Sequence, residues 1–358
     1  MWGGESLPSQ SEGWRARRTY TMTEEAIGDV SVQRRRATIG GGPAQLGLFV
    51  ILIGFWIFFS SLAPGFLSSF NLFNLGREVA RDIVIGFAQM VVLATGGMNL
   101  AVGSIGVCAV MTAGTLMQTF ALPVPLALAG ALLLGALLGW LNGFAIVRSG
   151  VNSFVITLAS ANLFSGAMLI LTRAVPLNAL PPEVGAFGRL KLAGSVSPLL
   201  VIALVIGAAL FVLYRYSTLG RRILAAGANP RAAAMSGVPV NRVIVISHTL
   251  SGLLAAVAGM MVVARLGAAM PAVGGEEWLL PSFLGPVLGG TLLSGGAVSV
   301  IGTVLGAALV TTLRSGLLVL QIGSYWLQLF LGLILLLAVL IDRYRGLYAE
   351  RMRVVRSS

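Results

Sequence analysis

The 358-residue sequence predicts an all-α polytopic membrane protein of about ten transmembrane helices, some of them broken and Gly-rich, with a pseudo-inverted repeat. Three observations carry that expectation. Only 10% of residues are charged against 57% hydrophobic, and mean hydropathy is +0.92; soluble proteins carry about 25% charged residues. The stretches Ile83 to Val147 and Trp278 to Leu313 contain no charged residue. Most remaining charges are arginines between apolar runs, where the positive-inside bias places them. That placement accounts for the net charge of +12 without nucleic acid as a partner. Cys108 is the only cysteine and His248 the only histidine, which excludes an internal disulfide, a Cys-based metal site and a His cluster.

Residues 1–43 carry Arg15, Arg17, Arg18 and Arg34 to Arg36 and end in Gly40-Gly-Gly-Pro43, the composition of a disordered basic cytoplasmic tail. Met22 is an alternative start. The transmembrane domain is expected over 44–342. Its first apolar run, 44–62, exceeds the h-region of a signal peptide and has no small-residue cleavage site, so it reads as a retained helix. Arg77, Glu78, Arg81 and Asp82 are placed at the edge of the second span. At about 20 residues per span, the charge-free stretch beginning at Ile83 holds three helices, broken at Gly96-Gly97 and around Pro123 and Pro125. Arg148 marks a cytoplasmic turn, and a fifth span covers 152–171. An outer loop with Arg173, Glu183, Arg189 and Lys191 leads to a sixth span at 198–213.

After a polar loop at 214–242 comes a seventh span, 243–264, and an outer loop with Arg265, Glu276 and Glu277. Eighth and ninth segments are separated at Gly289-Gly290 and Gly295-Gly296, and a tenth runs over 325–341 with Gln328 inside it. The tail, 343–358, is again basic. Ten spans from a cytoplasmic N-terminus put the polar loop and the C-terminus inside. Gly96-Gly-Met-Asn-Leu-Ala-Val-Gly103 and Gly289-Gly-Thr-Leu-Leu-Ser-Gly-Gly296 share Gly-Gly-x-x-Leu-x-x-Gly, the echo behind the repeat.

The loop at 214–242 is punctuated as two short helices. Thr218 caps the first and Gly227 ends it in a left-handed turn; Asn229 caps the second, with Pro230 at its first position and a stop at Gly237. Helices this short need a surface to lie against. Arg215, Arg221, Arg222, Arg231 and Arg242 accompany them and no acid does. No P-loop motif is present, so this chain is no P-loop ATPase. No acid is placed in the middle of a span, which argues against an ion-driven carrier. Energy is expected through a contact surface.

Tyr216-Ser-Thr-Leu-Gly-Arg-Arg-Ile-Leu-Ala-Ala-Gly-Ala-Asn-Pro-Arg-Ala-Ala-Ala-Met-Ser-Gly-Val238 resembles the coupling loop of ribose-type sugar permeases of bacterial ABC importers, in the branched-chain amino acid/ribose permease superfamily. Gly96 to Ser104, Ser251 to Gly259, Val287 to Gly296 and Ile301 to Gly306 extend the resemblance over about 46–342. The resemblance implies a transport subunit rather than an enzyme, without catalytic residues or bound metal, in the bacterial inner membrane. ATP and Mg²⁺ would be bound by a separate ATPase subunit. Further partners would be a second permease, identical or paralogous, a soluble binding protein delivering a monosaccharide, and membrane lipid. ATPase coupling would fall on Gly220, Arg221, Arg222, Gly227, Asn229, Pro230, Arg231, Ala232, Ala233 and Gly237. Arg231 stands where the family commonly has an acid, and Asn99 where it has Asp. Asn99 and Ser104, with Gln89 and Asn162, are the candidate pathway residues; Asn99 can equally cap the helix that begins at Leu100, and Gln89, Asn162 and Gln328 can equally join helices. His248 and Cys108 read as packing residues. Other superfamily substrates (branched-chain amino acids, nucleosides, a signalling furanose) remain alternatives, as does an ATP-independent channel or facilitator.

Overall fold

A computed structural model describes residues 43–321 apart from 193, together with 326, 328–333 and 336. The expected tails at 1–43, apart from Pro43, and 343–358 and most of the tenth span lie outside these residues; 328–333 are helical and Gln328 is exposed. The described chain is helical, with two isolated β-bridges. In order come α1 (Pro43–Leu62), α2 (Ser69–Leu93), α3 (Val102–Gln118), α4 (Val124–Ser149), α5 (Ser153–Thr172), α6 (Pro182–Arg189), α7 (Pro198–Tyr216), α8 (Thr218–Ala228), α9 (Pro230–Met235), α10 (Val240–Leu266), a 3₁₀ turn (Gly275–Trp278), α11 (Leu279–Leu288) and α12 (Val300–Val319). Six of them, α1, α4, α5, α7, α10 and α12, are long and apolar enough to cross a membrane.

The central element is α10, packed against α2, α3 and α4. Its fit to α4 follows from glycine spacing. Gly135, Gly139 and Gly143 form a stripe on α4, and a Cβ on any of them would collide with Ala256, Gly252 or Val245 of α10. Small residues at this spacing let two helical backbones touch in a membrane, where packing replaces the hydrophobic drive. Gly285 against Gly306 and Gly289 against Gly302 close the α11–α12 hairpin in the same way.

The structure departs from expectation at three places. The helix α2 begins at Ser69 rather than near Ile83, so Glu78 and Asp82 lie within it, not at its edge. Asp82 is midway along α2 and 2% exposed. Arg81 Nη2 meets Asp82 Oδ1 at 2.8 Å and Thr311 Oγ1 of α12 donates to Asp82 Oδ2 at 2.8 Å; Arg314 of α12 stands 4.0 Å away. Hydropathy misses this charge because two of its partners, Thr311 and Arg314, lie more than two hundred residues further on. Secondly, the Gly-rich eighth segment is only ten residues long, about 15 Å of helix at 1.5 Å per residue, half the thickness of a bilayer core. Thirdly, the two glycine motifs do not sit at opposite ends of the bundle. A Cβ on Gly86 would contact Pro286, and one on Gly96 would contact the Ser294 carbonyl, so α2 and α11 run parallel into one junction. Segments related by an inverted repeat would run antiparallel.

Candidate functional site

A sharp elbow joins α7 to α8. Ser217, not Thr218, is the N-cap: its hydroxyl accepts from Gly220 N–H at 2.9 Å and donates to the Leu213 carbonyl at 2.7 Å. The elbow is tight because Gly220 has no side chain; a Cβ there would strike the Leu213 carbonyl and Tyr214 Cα. One face of α8, with Ile223, Leu224, Ala226 and Gly227, is buried, while Arg221, Arg222 and Ala225 are exposed. Asn229 then caps α9, its Oδ1 accepting from Ala232 N–H at 3.0 Å. Pro230 is the first residue of α9, where its missing N–H costs nothing. The turn after α9 closes at Gly237, whose φ of +79° suits a residue without Cβ.

Gly227 is not a helix stop. It lies inside α8, which continues to Ala228, and it is buried where three elements meet. A Cβ on Gly227 would land on the Ala94 carbonyl at the end of α2 and close to Gly296 N in the α11–α12 break. Gly296 N–H donates to that same Ala94 carbonyl at 3.1 Å. Gly295, in turn, packs against Gly96 and the Gly227 carbonyl. The C-terminal end of α8 is thus seated between both broken segments.

The expected coupling residues divide by exposure. Gly220, Gly227 and Ala233 are buried, and the two glycines fit α8 against its neighbours. Arg221, Arg222, Asn229, Pro230, Arg231, Ala232 and Gly237 are exposed. Met235, absent from the expected set, is 90% exposed. The outward surface combines arginines, small residues and a methionine, and arginine and methionine are both enriched in protein interfaces.

The four candidate pathway residues are not gathered together. Asn99 is buried and bonded twice, accepting from Ala101 N–H at 3.0 Å and donating to Ser251 Oγ of α10 at 2.9 Å. It therefore turns the chain ahead of α3, which begins at Val102 rather than Leu100. Ser104 is buried against Ser165 of α5 at 2.9 Å. Gln89 is buried in α2 with neither amide atom hydrogen-bonded among the described residues. Asn162 is exposed on α5 and bonds its own helix at Leu158 rather than a neighbouring one. His248 Nδ1 likewise bonds the Ile244 carbonyl of its own helix. Among the described residues no cluster of His, Cys, Asp or Glu could hold a metal ion.

Two further groups support the break at 94–101. Ser153 Oγ accepts from Met98 N–H at 3.0 Å and Thr157 Oγ1 from Leu100 N–H at 3.1 Å, so the first turn of α5 satisfies backbone that no helix can. The sequence signal for them is weak, two hydroxyls four residues apart after an N-capping Asn152.

A multi-pass helical protein whose polar elbow is wedged against two broken segments has the build of a transport subunit moved from its surface. Residues 83–340 match the family described as "Branched-chain amino acid transport system / permease component", and the chain belongs to that family. It is a permease component, not an enzyme. It is 35% identical over 322 residues to the ribose import permease protein RbsC of Bacillus subtilis, covering 88% of this chain and 98% of that one. Identity to the fructose import permease protein FrcC of Rhizobium meliloti is 30%, over 87% of this chain and 89% of that one. The D-allose transport system permease protein AlsC of Escherichia coli is 30% identical, with 84% and 91% covered. No solved structure matches the chain.

Proposed function

We propose that this chain is the membrane subunit of a bacterial ATP-driven importer and translocates a monosaccharide handed over by a soluble binding protein. The observation that carries the reading is the α8–α9 pair, whose buried side touches both broken segments and whose outward side is free for an ATPase subunit. The names of the relatives, import permeases for ribose, fructose and D-allose, support a monosaccharide over a branched-chain amino acid, a nucleoside or a signalling furanose. Asp82 does not favour an ion-driven carrier, because both its oxygens are already engaged by Arg81 and Thr311.

In this reading the protein spans the inner membrane with both termini cytoplasmic and works beside a second permease, identical or paralogous. ATP and Mg²⁺ are held by the ATPase. Closure of the ATPase pushes α8 and α9, and Gly227 transmits the push to the ends of α2 and α11 as rigid-body motion. The positive elbow fits an acidic surface on the ATPase near Arg231. Arg231→Glu alone should therefore not improve transport. Stimulation of ATP hydrolysis by the binding protein, loaded with one monosaccharide at a time, tests the reading. One or a few sugars should raise hydrolysis by the permease–ATPase complex, and hydrolysis indifferent to every sugar in the panel counts against it.

A further inference from the structure

A groove of about 980 Å³ lies on the outer face of the bundle between α4, α7 and α10. Trp140 and Phe144 form one wall, their rings stacked at 5.3 Å and 17°. Apart from Asn241, Arg242 and Thr249 every lining side chain is apolar, and the Thr249 hydroxyl is already donated to the Val245 carbonyl at 2.8 Å. Leu213 and Leu219, on either side of the elbow, line it together with the start of α10. There Arg242 is exposed and makes no ion pair among the described residues. Among the described residues no acid lines the groove.

We propose that this groove binds one anionic phospholipid, its acyl chains against α4, α7 and α10 and its phosphate on the Arg242 guanidinium. Beyond Asn241 and Arg242 at one end, the wall offers a sugar only the Trp140 indole N–H, while its apolar length suits acyl chains. Arg242, the one cation among the lining residues, suits a phosphate, as basic pockets between transmembrane helices do. A protein helix seated here would have to bring an acid to Arg242 while keeping the rest of its face apolar. A lipid in this place touches Leu219 of α8 and steadies the angle at which the coupling helices leave the membrane; only this consequence rests on the importer reading.

Trp140 makes the site readable by fluorescence. The full chain is reconstituted in phosphatidylcholine vesicles containing increasing fractions of brominated phosphatidylglycerol or brominated phosphatidylcholine. The signal lost in Trp140→Phe isolates quenching at the groove. Both leaflets carry the same lipid, so the result depends on neither orientation nor transport. Half-maximal quenching should need about five-fold less phosphatidylglycerol than phosphatidylcholine, the preference one arginine near the surface supplies. Arg242→Gln should equalise the two lipids and Arg242→Lys should retain most of the preference. Equal quenching of the native protein by both lipids, an anionic preference that survives in Arg242→Gln, or no quenching by either would overturn the proposal. Should Arg242→Gln fail to reconstitute, the native comparison and Arg242→Lys decide.

Discussion

Gly227 and Asp82 show how single residues set the site. At Gly227 the missing side chain lets α8 rest on the Ala94 carbonyl, with backbone on both sides and nothing flexible to give way. Gly227→Val should therefore lower the thermal midpoint of the purified protein, by overpacking worth about 1–3 kcal/mol. In vesicles it should also cut transport more than it cuts ATP hydrolysis. Gly227→Ala should do the same more weakly. Asp82 holds Arg81 directly and stands before Arg314, and α12 adds the Thr311 hydroxyl. Removing one member of a buried charge cluster leaves the others uncompensated, at about 3–5 kcal/mol. Asp82→Ala should lower the midpoint accordingly, and Asp82→Asn, which keeps an acceptor for Thr311, should lose less. A midpoint unchanged in Asp82→Ala would show that this cluster is not what holds α2 to α12.

At the scale of elements, the break between α2 and α3 is held from outside by the first turn of α5. Thr157→Val removes the acceptor of the part-buried Leu100 N–H, and a buried donor left unmet costs up to about 1–3 kcal/mol. Hydrogen exchange at residues 97–101 should speed up in that variant while α4 and α10 keep their protection. The second short helix of the 214–242 loop was legible in the sequence because caps are local: Asn229, Pro230 and Gly237 each act within a few residues. Gly227 was misread for the opposite reason. A glycine that ends a helix and one that admits a neighbouring backbone are identical in sequence, and only contacts with residues 94 and 296 tell them apart. The start of α2 was hidden by its own charges, whose partners Arg265 and Thr311 are remote in the chain. Likewise, Asn99 offered a capping and a pathway reading, and its bond to Ser251 depends on a helix 152 residues away.

For the whole molecule, the arrangement links a surface to an interior. Helices α2 and α11 run parallel to one junction, α8 is wedged into it, and α9 presents Arg231, Ala232 and Met235 outward. In a permease built this way, any displacement of α8 reaches both broken segments at once. That link is the central claim, and ATP-dependent uptake in vesicles tests it most directly. Vesicles would contain this chain, its ATPase and the binding protein, with a labelled monosaccharide outside, and a parallel preparation would have residues 228–237 replaced by a flexible Gly-Ser segment. The account predicts uptake that requires ATP and disappears in the replaced protein, although that protein still inserts and α10 stays folded. Uptake that continues without ATP, or that survives the replacement, would contradict it.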